Sequence, residues 1–80
     1  METIKQNTAL SRLSTGLQEY ALELLPGDCD VIAEMTGYKV QTVRPYTKGE
    51  VKVIETGLTI LGAMKTLILE REKKVNKALA

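Results

Sequence analysis

Histidine, tryptophan and phenylalanine are absent from the 80 residues, cysteine occurs once and proline twice. Each absence excludes something. Without histidine, a Gly-rich phosphate loop or paired carboxylates outside an acidic surface run, the chain lacks the groups that catalysis in a pocket requires, and no small-molecule substrate is evident. Ser11 and Ser14 read as helix-surface residues. With one cysteine, Cys29, an intramolecular disulfide is impossible and the Cys-rich metal spacings are missing. A reduced, cytoplasmic setting with no metal and no cofactor fits best, and Cys29 reads as a small, half-buried residue at a helix start. No apolar run approaches the roughly 18 residues of a membrane span, and METIKQNTALSR at the N-terminus has no run of signal-peptide length, so no membrane partner is expected.

Three tyrosines are the only aromatics, so the core must come from Leu, Ile, Val, Ala and Met, the mix that helical bundles use. A chain of this length makes one domain with a thin core, burying roughly 60 to 65 per cent of its unfolded surface. The expected fold is all-α, a single four-helix domain spanning residues 1–80. Its net charge of +1 hides a segregation. Glu19, Glu23, Asp28, Asp30 and Glu34 form an acidic run without a base, whereas Lys39, Arg44, Lys48 and Lys52 follow with Glu50 as the only acid among them.

Leu10, Leu13, Leu17, Tyr20, Ala21 and Leu24 recur at three- and four-residue steps, which predicts one amphipathic helix from between Thr3 and Asn7 to about Leu25, with Thr3 or Asn7 as N-cap. Gly16 on its apolar side predicts a close helix crossing there. Pro26-Gly27 ends the helix, Asp28 is placed to cap the next one, and that second helix should run from about Cys29 to Thr36.

Residues 28–49, DCDVIAEMTGYKVQTVRPYTKG, organise the rest. Two short helical patterns flank a Thr36-Gly37-Tyr38 corner, with Val31, Ile32, Met35, Tyr38, Val43 and Tyr46 as apolar positions. Gly37 can take the positive φ of a sharp turn, and Ala33, one helical turn earlier, lets the next helix cross close by. On Ile32-Ala33, Thr36-Gly37-Tyr38, Thr42-Val43-Arg44 and Lys48-Gly49 the chain resembles the Cro and lambda-repressor-like helix-turn-helix proteins. The match covers about a quarter of the chain strongly and the remainder loosely. Such a resemblance implies a transcriptional regulator, repressor-like, that places its third helix in the major groove of a palindromic site in double-stranded DNA.

That third helix should begin near Lys39 or Val40, turn Val43 inward and present Gln41, Arg44 and Lys48 on the opposite face, with Gly49 as its left-handed closing residue. Gln41 suits the adenine N6 and N7 pair and Arg44 the guanine O6 and N7 pair. Lys39, Lys48 and Lys52 would hold phosphates and Thr42 would add a neutral contact; with Val40 these make up the expected DNA-binding set. Pro45 departs from the family pattern. Either the helix ends near Arg44, or it continues to about Lys48 with a kink and an unpaired Gln41 carbonyl; continuation is favoured, because Tyr46 should still reach the core.

Residues 50–78 read as one long C-terminal helix with Val51, Ile54, Leu58, Leu61, Met64, Ile68 and Val75 on one stripe and Val53, Ile60 and Leu67 on a second. Two stripes exceed what one small core can cover. Ile60, Leu67 and Ile68 are expected to stay wet, and a homodimer through Val53, Ile60, Leu67 and Ile68 follows. Glu70 and Lys74 are spaced for a helical pair, and the end of the tail can be helical or frayed. The competing function is a helical protein–protein interaction module, such as an assembly factor, antitoxin or antirepressor, that keeps the packing without binding DNA.

Overall fold

The computed structural model describes residues 2–80, with side chains described from Ala9 onward. Four helices account for the fold: α1 (Glu2–Ala21), α2 (Asp28–Thr36), α3 (Val40–Thr47) and α4 (Ile54–Leu79). No strand occurs among the described residues, so the all-α expectation holds. The core takes side chains from every helix: Leu13 and Leu17 of α1, Ile32 and Ala33 of α2, Val43 and Tyr46 of α3, and Ile60, Ala63 and Met64 of α4.

The first helix and the last run side by side in the same direction. Leu13 meets Gly57, Gly16 faces Leu61, and Lys65 sits over the Tyr20 ring at 5.6 Å from its centroid. At 1.5 Å per residue this staggered pair spans about 50 Å, the 51 Å long dimension of the molecule. The tight point is Gly57, where a Cβ would lie 3.0 Å from Leu13 Cδ2; at Gly16 a Cβ would make an ordinary 3.9 Å contact with Leu61. The close crossing expected at Gly16 is therefore one helical step away from where the sequence put it, on the partner helix.

Helix α1 starts at Glu2, which leaves Thr3 and Asn7 inside it, and stops at Ala21, short of Leu25. The reason lies in the connection. Leu25-Pro26-Gly27-Asp28 closes as a β-turn, with the Asp28 N–H donating to the Leu25 carbonyl at 3.0 Å and Gly27 at φ 89° and ψ −9°, the third-position geometry of a type II turn. Asp28 is not a cap. It is the first residue of α2, and its buried carboxylate accepts the Leu25 N–H at 2.7 Å and both Arg71 guanidinium nitrogens at 2.9 and 3.0 Å. This bidentate pair joins the α1–α2 turn to α4 across 43 residues of sequence. It is the single ion pair among the described residues, and the expected Glu70–Lys74 pair is not made.

Which stripe of α4 turns inward differs from expectation. Ile60, Met64 and Ile68 are buried and Leu67 packs on the core, while Ile54 and Leu58 are exposed. Because α4 wedges between α1 on one side and α2 on the other, its buried arc runs from Ala63 to Ile68 and takes part of each stripe. Its start is also later than expected. Residues 50–53 leave α3 non-helical, and Val53 is extended and donates its N–H to the Tyr46 hydroxyl at 3.1 Å, so the helix begins at Ile54. At the far end it stays helical to Leu79, past Val75.

Two measurements test this framework. Hydrogen bonding to Arg71 holds the Asp28 carboxyl below the usual carboxylate range, helped by the Leu25 N–H and opposed by desolvation. A lowered folded-state pKa stabilises the fold fully above about pH 4 and ceases to do so as pH falls through the folded value. Asp28→Ala should lower stability by about 2 kcal/mol, or roughly 10 °C in Tm for a domain this size, and the wild type should lose more stability than the variant on acidification below about pH 4. Tyr46→Phe, which deletes only the acceptor for Val53, should cost about 1 kcal/mol in urea unfolding.

Candidate nucleic-acid interface

An eight-residue helix with an internal proline is a poor free-standing structure, and α3 is held from outside at both ends. At its start, Gly37 at φ 80° donates to the Ala33 carbonyl at 2.9 Å, the left-handed closure of α2. The Thr36 hydroxyl donates to the Ile32 carbonyl at 2.8 Å and accepts the Tyr38 N–H at 3.3 Å, stitching the corner. Val40 to Thr47 is helical on both sides of Pro45, with Tyr46 buried, so the helix continues past the proline and does not stop at Arg44. The Gln41 carbonyl gets no bond from residue 45, since proline has no N–H.

At its end, the Gly49 N–H donates to Tyr46 and the Glu50 N–H to Pro45, both at 3.0 Å, with Gly49 at φ 91°. These two bonds are a Schellman closure. Helix α1 clasps the same end: Ser14 Oγ donates to the Gly49 carbonyl at 2.7 Å and Gln18 Nε2 to the Lys48 carbonyl at 2.9 Å. A Cβ at residue 49 would collide with the Gln18 amide and lie 2.7 Å from Ser14 Oγ, so glycine is required there twice over. Ser14, read from sequence as a plain surface residue, is thus part of the support for α3.

With Val43 and Tyr46 fixed inward, the outward face follows. Gln41, Arg44 and Lys48 are all exposed and share one side of α3. Gln41 and Lys48 are about 10 Å apart along the axis. Two shallow grooves flank this ridge. One, toward α4, is lined by Tyr38, Gln41, Thr42, Pro45, Lys52 and Thr56. The other, toward α2, brings Lys39, Gln41 and Arg44 together with Asp30 and Glu34. Lys48 lines neither groove and stands at the C-terminal end of the ridge. Val40, included in the expected set, is half-buried: it packs on the core and its exposed part lines the α2-side groove with Lys39, Gln41 and Arg44.

No family model matches the chain, and neither does any curated protein or solved structure. What it does must be read from these residues and their geometry. Lys39, Arg44, Lys48 and Lys52 are exposed, and none is in an ion pair among the described residues. No side chain caps the α3 N-terminus and no acid lies in its first turn, although the carboxylates of Asp30 and Glu34 line the groove beside it. Such a ridge offers a hydrogen-bonding amide and a guanidinium at its crest, with ammonium groups around them. It suits a polyanion with readable edges.

Thr56 and the carboxylates of Asp30 and Glu34 were not singled out as part of this surface from sequence. Thr56 reaches it from the first turn of α4 and leaves no local pattern. The two acids were visible as a charge run, but their position beside Arg44 depends on how α2 meets α3. Both acids make the α2 side of the ridge less attractive to phosphate than the α4 side, where Lys52 stands.

Pro45→Ala should raise Tm, since it restores the bond to the Gln41 carbonyl and relieves a residue that costs up to about 3 kcal/mol inside a helix. Unchanged or lowered thermal stability in circular dichroism melts would show that the surrounding packing had already offset the proline.

Proposed function

We propose that this chain is a sequence-specific DNA-binding regulator, repressor-like, in which α2, the Gly37 corner and α3 act as a helix-turn-helix and α3 enters the major groove of double-stranded DNA. The observation that carries the proposal is the exposed ridge of Gln41, Arg44 and Lys48 on a helix whose opposite face is locked in the core. The resemblance to Cro and lambda-repressor-like proteins supports the same division of labour. Gln41 and Arg44 read base edges, while Lys39, Lys48 and Lys52 hold phosphates and Thr42 adds a neutral contact. Because one short helix makes few base contacts, the functional unit is a homodimer on a palindromic site, its half-sites about 34 Å apart.

One observation favours a different partner. Asp30 and Glu34 share a groove with Lys39 and Arg44, and Val31 and Met35 are exposed on α2. A mixed-charge groove beside exposed apolar side chains also suits a protein, and on that reading the chain is an interaction module of the assembly-factor, antitoxin or antirepressor kind.

Salt separates the two. With Lys39, Lys48 and Lys52 on phosphates, log K for DNA should fall against log salt with a slope of about −3 per bound copy. Arg44→Ala should cost about 1 to 3 kcal/mol at one base step and relax discrimination there, whereas Lys48→Ala should weaken all sequences alike and reduce the slope by about 1. Fluorescence anisotropy on selected genomic fragments reads all three. Failure to bind any duplex at low salt, together with retention of a protein partner that Arg44→Ala releases, would move the assignment to the interaction module.

A further inference from the structure

The stripe that the fold leaves uncovered on α4 is not the one expected from sequence. Ile54, Leu58 and Leu69 are 46, 55 and 54 per cent exposed, and they fall on a single helix face with Lys65 and Gly62 between them. Gly62 is exposed, sits mid-helix where glycine is a poor choice, and has nothing of its own chain within 4 Å of where a Cβ would be. We infer that this stripe is a self-association surface, on which a second copy of the chain lays its own α4 antiparallel.

The pattern is self-complementary in that direction. With the twofold axis between Ala63 and Met64, Leu58 of one copy lies against Leu69 of the other, and Gly62 leaves room for the facing Lys65 stem, whose ammonium stays over Tyr20 of its own chain; each contact occurs twice by symmetry. Charges match in the same register. Glu55, on the edge of the stripe, comes within one residue of Lys73 on the same edge of the second copy, and this pair of opposite charges recurs across the dyad. A parallel arrangement in register would instead set Glu55 against Glu55 and Lys73 against Lys73. Three half-exposed large side chains per copy amount to much less than a standard interface of about 1,600 Å². Association is therefore weak, on the order of micromolar, and is reinforced when two copies bind neighbouring half-sites.

This inference rests on the dimeric form of the DNA-binding proposal only for its purpose; the self-association itself is measured without DNA. Sedimentation equilibrium of the whole chain across micromolar to millimolar concentrations should show a monomer–dimer equilibrium. Leu58→Glu and Leu69→Glu, both at exposed positions that leave the circular dichroism melt near wild type, should each raise the dissociation constant by roughly a hundredfold. Glu55→Lys and Lys73→Glu should each weaken it about tenfold, and the double reversal should restore it, which a parallel pair would not do. A monomer at every concentration, or a dimer indifferent to Leu58→Glu and Leu69→Glu, overturns the surface. Either result leaves the binding of one copy to DNA to be judged on its own isotherm.

Discussion

Everything proposed for this protein depends on one short helix being held by the rest of the chain. Helix α3 has eight residues and a proline, too little to persist alone. It exists because Val43 and Tyr46 are buried among the other three helices and because its C-terminal carbonyls are taken by Gly49, Glu50, Ser14 and Gln18. The Tyr46 hydroxyl then sets where α4 begins. The same contacts that bury one face of α3 force Gln41, Arg44 and Lys48 outward, so stability and the candidate binding surface have a common origin. A change that loosened Tyr46 would blunt the ridge without touching any residue on it.

The second support is electrostatic and lies at the opposite end of the core. Asp28 and Arg71 couple the α1–α2 turn to α4, and through α2 they fix the corner from which α3 starts. Removing either partner leaves a charge without its match in a partly dry place. The acidic run of the sequence thus divides into two roles. Asp28 is consumed inside the fold, whereas Asp30 and Glu34 stay on the surface and border the basic ridge. That border gives the ridge a polarity, with Lys52 and Thr56 on one flank and carboxylates on the other, and a polyanion should approach from the Lys52 side.

Local pattern carried the parts of this structure that local chemistry decides. The three- and four-residue spacing of α1, the Gly37 corner, the passage of α3 through Pro45 to Tyr46, and the closure at Gly49 were all legible from neighbouring residues. The long-range parts were not. Asp28 looks like a cap until Arg71, far along the chain, is brought beside it. Leu22 to Leu25 continue a helical spacing, yet the turn at Pro26-Gly27 and the Asp28 carboxylate take that stretch out of α1. On α4 two apolar stripes of similar strength compete, and only its wedged position between α1 and α2 decides that Ile60 and Leu67 go in while Ile54 and Leu58 stay out. Within the candidate site, Gln41, Arg44 and Lys48 were visible as one face, while the half-buried packing of Val40 and the arrival of Thr56 needed the assembled fold.

The most direct test of α3 as a reading helix follows each backbone amide while DNA is added. Amide correlation spectra of isotope-labelled protein, titrated with a duplex at low salt, should show shifts concentrated at Lys39 to Lys48 and at Lys52, with Glu19 to Asp30 and the tail beyond Glu70 left largely in place. Shifts confined to the tail or spread over α1, with Gln41 and Arg44 unmoved, would contradict the assignment of α3 as the DNA-reading element.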